Sequence, residues 1–177
     1  MNKLWAMKRA AADAEKKKPK VSAAQIRVQK DITELSLPST MRLDFPNPDD
    51  LMHFQLCITP DEGMYQGGCF RFSFAIDHNY PHEAPKVLCT QRIYHPNIDL
   101  DGKICLNILR EDWKPVLNLE AIMVGLQFLF LAPNPDDPLN KEAAQDLRAN
   151  PKDFANTVKA TMRGSRYNNV IYDKVLL

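Results

Sequence analysis

The chain has 177 residues, of which 45% are hydrophobic and 25% charged, with a net charge of +1. That is the balance of an ordinary soluble globular protein, sized for one domain plus a tail. No apolar run approaches the ~18 residues of a membrane span, and the start lacks the apolar stretch of a secretory signal.

The small net charge hides an asymmetry. Residues 1–20 carry seven Lys or Arg against Asp13 and Glu15, so the tail is +5 and the remainder −4. A basic tail on a mildly acidic body argues against nucleic acid as the main partner of the folded part. Cys57, Cys69, Cys89 and Cys105 form no Cys-x-x-Cys pair and fit no zinc template, so no metal site is expected. Without a secretory signal the expected compartment is reducing, cytoplasm or nucleus, and disulfides are not expected.

Residues 1–21 read as a flexible basic extension, and residues 22–177 as the folded core. Met1, Leu4, Trp5 and Met7 put an apolar segment at the tip, and the Ala- and Lys-rich stretch behind it is a spacer. Fully extended, residues 9–21 span about 45 Å. A short apolar segment on a tether has the form of a docking motif; a frayed terminus with incidental hydrophobes is the plain alternative.

Ser22 followed three residues later by Gln25 is a capping box, and Ile26, Ile32 and Leu35 supply an incomplete apolar face before Pro38 ends the helix. Gln25, Arg27, Gln29 and Lys30 occupy the polar side. Four strands follow: a short one over 41–45, two alternating runs over 52–59 and 69–76, and one over 86–90. Turn-rich connections make them an antiparallel meander with one apolar face. Cys57 and Cys69 fall on the mixed face as small surface residues.

Asn118 caps a helix over 119–131 that has almost no polar side, and is therefore expected to be buried. The Pro-rich run 133–138 stops it. A helix over 140–150 comes next, and Pro151 opens a last one to about Met162, ended by Gly164. The residues of 165–177 point to no role.

Between sheet and central helix lies the stretch that carries chemistry, Tyr94 to Pro115. Pro96 fixes one backbone angle, and Asp101-Gly102 makes a sharp reversal. The stiff loop so formed holds the Asn97 amide near the Cys105 sulfur. A thiol at a fixed position beside an amide donor suits acyl transfer through a thioester. By base rate a lone cysteine is more often inert core, and only its setting reverses that reading.

This setting resembles the active-site segment of the ubiquitin-conjugating enzyme family: His95-Pro96-Asn97, then Cys105 eight residues after the Asn, then Trp113-Lys114-Pro115. The likeness runs over about residues 22–163, and within the family both 94–115 and 133–144 look most like the conjugating enzyme of the Rub-type modifier used in neddylation. The resemblance implies an α+β fold: a four-stranded antiparallel meander, an N-terminal helix, a central buried helix and two C-terminal helices. It implies a transferase that accepts a ubiquitin-like modifier as a thioester on Cys105 and passes it to a lysine of a target such as a cullin. No cofactor is implied, ATP being used by the partner activating enzyme.

Residue by residue, the resemblance makes Cys105 the nucleophile and Asn97 the oxyanion or loop support. Asp137 orients the incoming lysine, and His95 makes a structural hydrogen bond. The first helix and the N-terminal extension meet a heterodimeric activating enzyme, and Met1 also reaches a Dcn-like co-ligase. Pro81, His82 and Glu83, in a turn like the family's Tyr-Pro-x-x-Pro-Pro, join Trp113, Pro115 and Val116 to receive a RING ligase. The enzyme is expected to act as a monomer. Three other readings remain: ubiquitin as cargo, a non-catalytic modifier-binding module on the same fold, and a Cys-His hydrolase using His95.

Overall fold

The computed structural model describes residues 21–177. Four α-helices occur among them: α1 (Ala23–Glu34), α2 (Leu119–Leu131), α3 (Lys141–Ala149) and α4 (Pro151–Met162). A four-stranded antiparallel sheet runs in chain order β1 (Met41–Asp44), β2 (His53–Ile58), β3 (Phe70–Ala75) and β4 (Lys86–Cys89). The expected α+β meander is the observed one.

Alternation builds the inner face. Phe54 faces Phe74, Leu56 faces Phe72 and Ile58 faces Phe70 across β2 and β3, and all six are buried. α2 lies against this face, where Phe130 stacks on Phe70 with ring centroids 4.3 Å apart. Ile122, Met123, Leu126 and Phe130 are wholly excluded from solvent. Each such side chain stabilises the fold by roughly 1.5–3 kcal/mol relative to exposure. That layer fixes the backbone from which the reactive loop springs.

Two helix faces differ from expectation. α1 begins with the capping box, Gln25 N donating to Ser22 Oγ at 3.1 Å and Ser22 N to Gln25 Oε1 at 2.8 Å. Its buried residues, however, are Ala24, Val28 and Asp31, and Ile26 is exposed. The inward stripe follows the four-then-three spacing from Ala24, and Ile26 lies about 200° round the helix from it. α2 is not buried on all sides: Val124 and Phe128 are 53% and 62% exposed, and Leu131 also reaches solvent. The all-apolar composition hid a helix with one open face.

The cysteines bring a third correction. Cys57 and Cys69 are joined as a disulfide, with Cα atoms 6.2 Å apart. The β2–β3 register pairs Cys57 with Arg71, so Cys69 is its diagonal neighbour on the same face. That diagonal brings two thiols within reach of each other across adjacent strands.

Residues 165–177, for which the sequence suggested nothing, complete the body. β5 (Arg166–Tyr167) and β6 (Val170–Ile171) form a hairpin closed by Asn168 and Asn169, both at positive φ as a two-residue turn of this hand requires. The chain end then docks: Cys69 N donates to Val175 O at 2.8 Å, and Tyr172 and Val175 are buried.

Candidate active site

The segment after β4 folds back on itself before it reaches Cys105. Asp99 Oδ1 accepts the N–H groups of Asp101 (2.9 Å) and Lys103 (2.8 Å), closing a turn. The two arms then pair: Asp99 N donates to Lys103 O at 3.0 Å, and Cys105 N to Asn97 O at 2.8 Å. The interval from Asn97 to Cys105 is thus the length of a small hairpin that sets the two residues side by side. Gly102 is essential to it. Its φ is +82°, and a Cβ there would sit 2.0 Å from Cys89 O. The close approach lets Cys89 N donate to Gly102 O at 2.8 Å, which pins the turn to the sheet edge.

Asn97 is 2% exposed and fully engaged. Its amide nitrogen donates to Asn134 O (2.8 Å) and Asp137 O (3.2 Å), and its oxygen accepts Asn134 N at 2.9 Å. Both amide protons hold the loop after α2, so neither is free for an oxyanion. Of the two roles expected for Asn97, this geometry is that of loop support.

The supported loop delivers Asp137 to the sulfur. Cys105 Sγ donates to Asp137 Oδ2 at 3.0 Å. Cys105 is mostly covered, yet it lines a cleft of about 280 Å³ with Asn97, Phe128, Asn134 and Asp137, so the sulfur has a way out. Burial, and then the Asp137 carboxylate, push its thiol above the ordinary value. The Arg110 guanidinium, which also donates to Ile104 O at 3.1 Å, opposes them. Asp136 stays at the exposed rim, its N–H donating to Asn134 Oδ1 at 2.9 Å.

His95 is turned to backbone groups and not to the sulfur. It is fully buried; Nε2 donates to Leu129 O at 2.9 Å and Nδ1 accepts Asn97 N at 2.9 Å. Burial lowers its pKa to about 4, so the ring is neutral, and neither nitrogen is available as a base. A Cys-His dyad has no geometry here.

The surfaces assigned to partners are partly altered. Gln25, Gln29 and Lys30 stand in solvent, but Arg27 is turned inward. Its Nε donates to buried Asp31 at 2.8 Å, and its terminal nitrogens donate to Pro115 O (2.8 Å) and Leu117 O (2.5 Å). Arg27 therefore binds α1 to the 115–117 loop. Trp113 Nε1 donates to Pro81 O at 2.8 Å and so joins the two loops expected to meet a ligase. His82 and Glu83 are exposed beside them, and Val116 stands 83% exposed. Met1, Leu4, Trp5 and Met7 lie outside the described residues.

Sequence reasoning missed Asn134, Arg110 and Phe128. Asn134 and Arg110 work mainly through backbone contacts, which leave no periodic signal. Phe128 recurs four residues after Val124, so a shared outward face was legible in the spacing.

Comparison with known proteins agrees with this geometry. The family model described as "Ubiquitin-conjugating enzyme" matches residues 27–162. The chain belongs to the ubiquitin-conjugating enzyme family. Among relatives in that family, the NEDD8-conjugating enzyme UBC12 of Yarrowia lipolytica is 58% identical over 178 aligned residues, covering 100% of this chain and 99% of the relative. The Nedd8-conjugating enzyme UbcE2M of Drosophila melanogaster is 56% identical, with the same coverage. A solved conjugating-enzyme structure, S. cerevisiae Ubc12, superposes with a TM-score of 0.87 at 43% identity, covering 98% of this chain and 97% of that one.

Proposed function

We propose that the protein accepts a Rub-type modifier, NEDD8, as a thioester on Cys105 from an activating enzyme and transfers it to a lysine of a target such as a cullin. The observation that carries the reading is the Cys105–Asp137 contact at 3.0 Å at the mouth of a cleft. Full-length likeness to NEDD8-conjugating relatives favours that modifier over ubiquitin.

The contact accounts for a handover. In the free enzyme the carboxylate accepts the thiol proton. The thiolate form attacks the modifier's C-terminal thioester, the activating enzyme's thiol departs, and Cys105 is left without a hydrogen. The Asp137 carboxylate then has no donor on sulfur and is open to the ammonium of an incoming lysine. It orients that amine as the amine sheds its proton and attacks the thioester carbonyl. Cys105 leaves as thiolate. The same oxygen serves two donors in turn, so the loaded state is primed for aminolysis.

The open face of α2, Val124 with Phe128, borders the cleft and offers apolar surface to the body of a tethered modifier. The loops joined by Trp113 are the proposed seat of a RING ligase, and the N-terminal segment that of the activating enzyme and a Dcn-like co-ligase. ATP is consumed by the activating enzyme, and the setting is cytoplasm or nucleus.

Incubation with ATP, modifier and its activating enzyme tests the reading. The expected product is a modifier-sized adduct cleaved by reducing thiol, which Cys105→Ser converts to a thiol-resistant one. Preferential loading with ubiquitin from its own activating enzyme would reject the cargo assignment. A thiol-sensitive adduct on Cys105→Ser would reject the nucleophile.

A further inference from the structure

We infer that Asp146 is a positioning residue for the lysine step: gripped by Tyr94 and by Tyr167 of the C-terminal hairpin, it holds α3 against the reactive loop and so keeps Asp137 in contact with Cys105. The inference rests on the conjugating reading above and adds to it a residue remote from the sulfur and a task for the hairpin.

The two halves of the reactive contact hang from different parts of the body. The strand that carries Cys105 is pinned to the sheet edge, where Cys89 N donates to Gly102 O at 2.8 Å. The loop that carries Asp137 is tied to α3. Leu139 and Asn140 lead directly into that helix, and its Arg148 reaches back to donate to Pro135 O. A shift of α3 against the sheet therefore moves the carboxylate relative to the sulfur. Near the site the two halves are joined by the bonds of Asn97 to the loop, and by those of Leu139 N and Asn140 N to Pro96 O. All of these rest on the short segment 95–97, so its own anchorage decides how firmly they hold.

That anchorage includes Tyr94, immediately before the segment. Tyr94 is 2% exposed and held at both ends: its carbonyl accepts the Tyr65 hydroxyl at 2.9 Å, and its own hydroxyl donates to Asp146 Oδ2 at 2.5 Å. The same carboxylate oxygen accepts the Tyr167 hydroxyl at 2.9 Å, and Asn168 donates to Glu142, one turn earlier on α3. The hairpin thus grips α3 at two side chains, and Asp146 joins that grip to Tyr94. The rings of Tyr167 and Tyr172 meet the Tyr94 ring edge-on, with centroids 5.2 and 5.7 Å away, and confine it. No Lys or Arg pairs with Asp146 among the described residues; its partners are the two phenols. Bonds from a hydroxyl to a carboxylate are charge-assisted, so this joint is stronger than the neutral bonds around it. Burial and the carboxylate raise the Tyr94 hydroxyl, and the carboxylate raises that of Tyr167, so both remain protonated donors.

Asp146→Ala, Asp146→Asn and Tyr167→Phe in the full-length protein test this. An amide oxygen accepts the same two hydroxyls, so Asp146→Asn should stay within about twofold of wild type. Asp146→Ala should lower kcat for discharge to free lysine about tenfold, with KM for lysine and the charging rate unchanged. That is less than the ~10²-fold of a 1 Å misplacement, because the Asn97 bonds remain. Tyr167→Phe, which keeps the Tyr94 bond, should lower kcat about threefold by the same reasoning. The uncharged protein gives a second readout, the rate at which iodoacetamide alkylates Cys105 as pH rises, followed by the mass of its peptide. Asp137 raises this thiol, and Arg110, the other charged group facing it, opposes that. With Asp137 displaced, the Asp146→Ala profile should move to lower pH, and Asp146→Asn should leave it in place. A role in stability alone would lower the urea midpoint of Asp146→Ala and leave its alkylation profile unmoved. That result, or discharge by Asp146→Ala at the wild-type rate, or Asp146→Asn as slow as Asp146→Ala, would overturn the inference and leave the conjugating reading standing. If no thioester forms on any of the proteins, the conjugating reading falls; the alkylation profile, read without modifier, still decides whether Asp146 holds Asp137 on the sulfur.

Discussion

Asn97→Ala separates the two roles an amide can play beside a thioester. The side chain makes three hydrogen bonds to the 134–137 loop, at 2.8, 3.2 and 2.9 Å. At about 0.5–1.5 kcal/mol each, and with water replacing part of what is lost, their removal should cost about 2 kcal/mol, concentrated in that loop. Loosening it moves Asp137 away from the sulfur, and misplacement of about 1 Å in such a group costs on the order of 10²-fold in rate. In the proposed mechanism only the lysine step needs Asp137 in place. Single-turnover assays should therefore show charging within a few-fold of wild type and discharge to lysine slowed about 10²-fold. Asp137→Ala should slow discharge comparably, and the double variant little further, because the two residues act as one unit. An oxyanion donor would behave otherwise: both transfers pass through a tetrahedral intermediate, so charging would fall with discharge and the two substitutions would multiply. Either result would refute the loop-support role.

Burial and Asp137 raise the Cys105 thiol, so charging in the wild type should keep accelerating as pH rises through and beyond the ordinary thiol range. Asp137→Asn should move the charging profile to lower pH and Arg110→Ala to higher pH, read from rates at saturating charged activating enzyme. Asp31 is 4% exposed and accepts from Arg27, Tyr80 and Leu119 N. Asp31→Ala should cost about 3 kcal/mol in urea unfolding, the low end for a broken buried pair, since Arg27 keeps the Pro115 and Leu117 carbonyls. His95 titrates at about 4 when folded, against an ordinary 6.5 when unfolded. Between those values the unfolded chain binds more protons, so stability is present above about pH 6.5 and lost as pH falls to 4, by about 3 kcal/mol. His95→Gln should flatten that part of the stability–pH curve, and an unchanged slope would mean that the ring is not held neutral.

What the sequence revealed depended on whether a residue acts through a repeating pattern or through one contact. The strands were legible because Phe70, Phe72 and Phe74 alternate, and the caps at Ser22 and Asn118 because they precede their helices; the cap that Asn150 makes for α4 was not. Cys105 and Asn97 were legible through a motif whose spacing the hairpin of Asp99 to Lys103 now explains. Arg27 was misread because its polarity predicts solvent, whereas its fork finds two loop carbonyls some 90 residues away. The open face of α2 was misread because hydrophobicity reports a wish for burial and not the partner that satisfies it. The Cys57–Cys69 pairing depended on register, which composition does not carry.

The same distinction bears on where reactivity and selectivity are kept. The sulfur, its carboxylate and the amide behind them hang from backbone held by the sheet edge at Cys89, by the Pro96 carbonyl and by the buried His95 ring. Those anchors are buried, so they can be rigid without restricting what is modified. The elements that do face outward, the Val116 loop and the open stripe of α2, carry no part of the chemistry. A substitution in the first group should alter rates for every acceptor alike, and one in the second should alter which acceptor or ligase is used. A variant at Val116 that slowed discharge to free lysine as much as ligase-stimulated discharge would contradict that division.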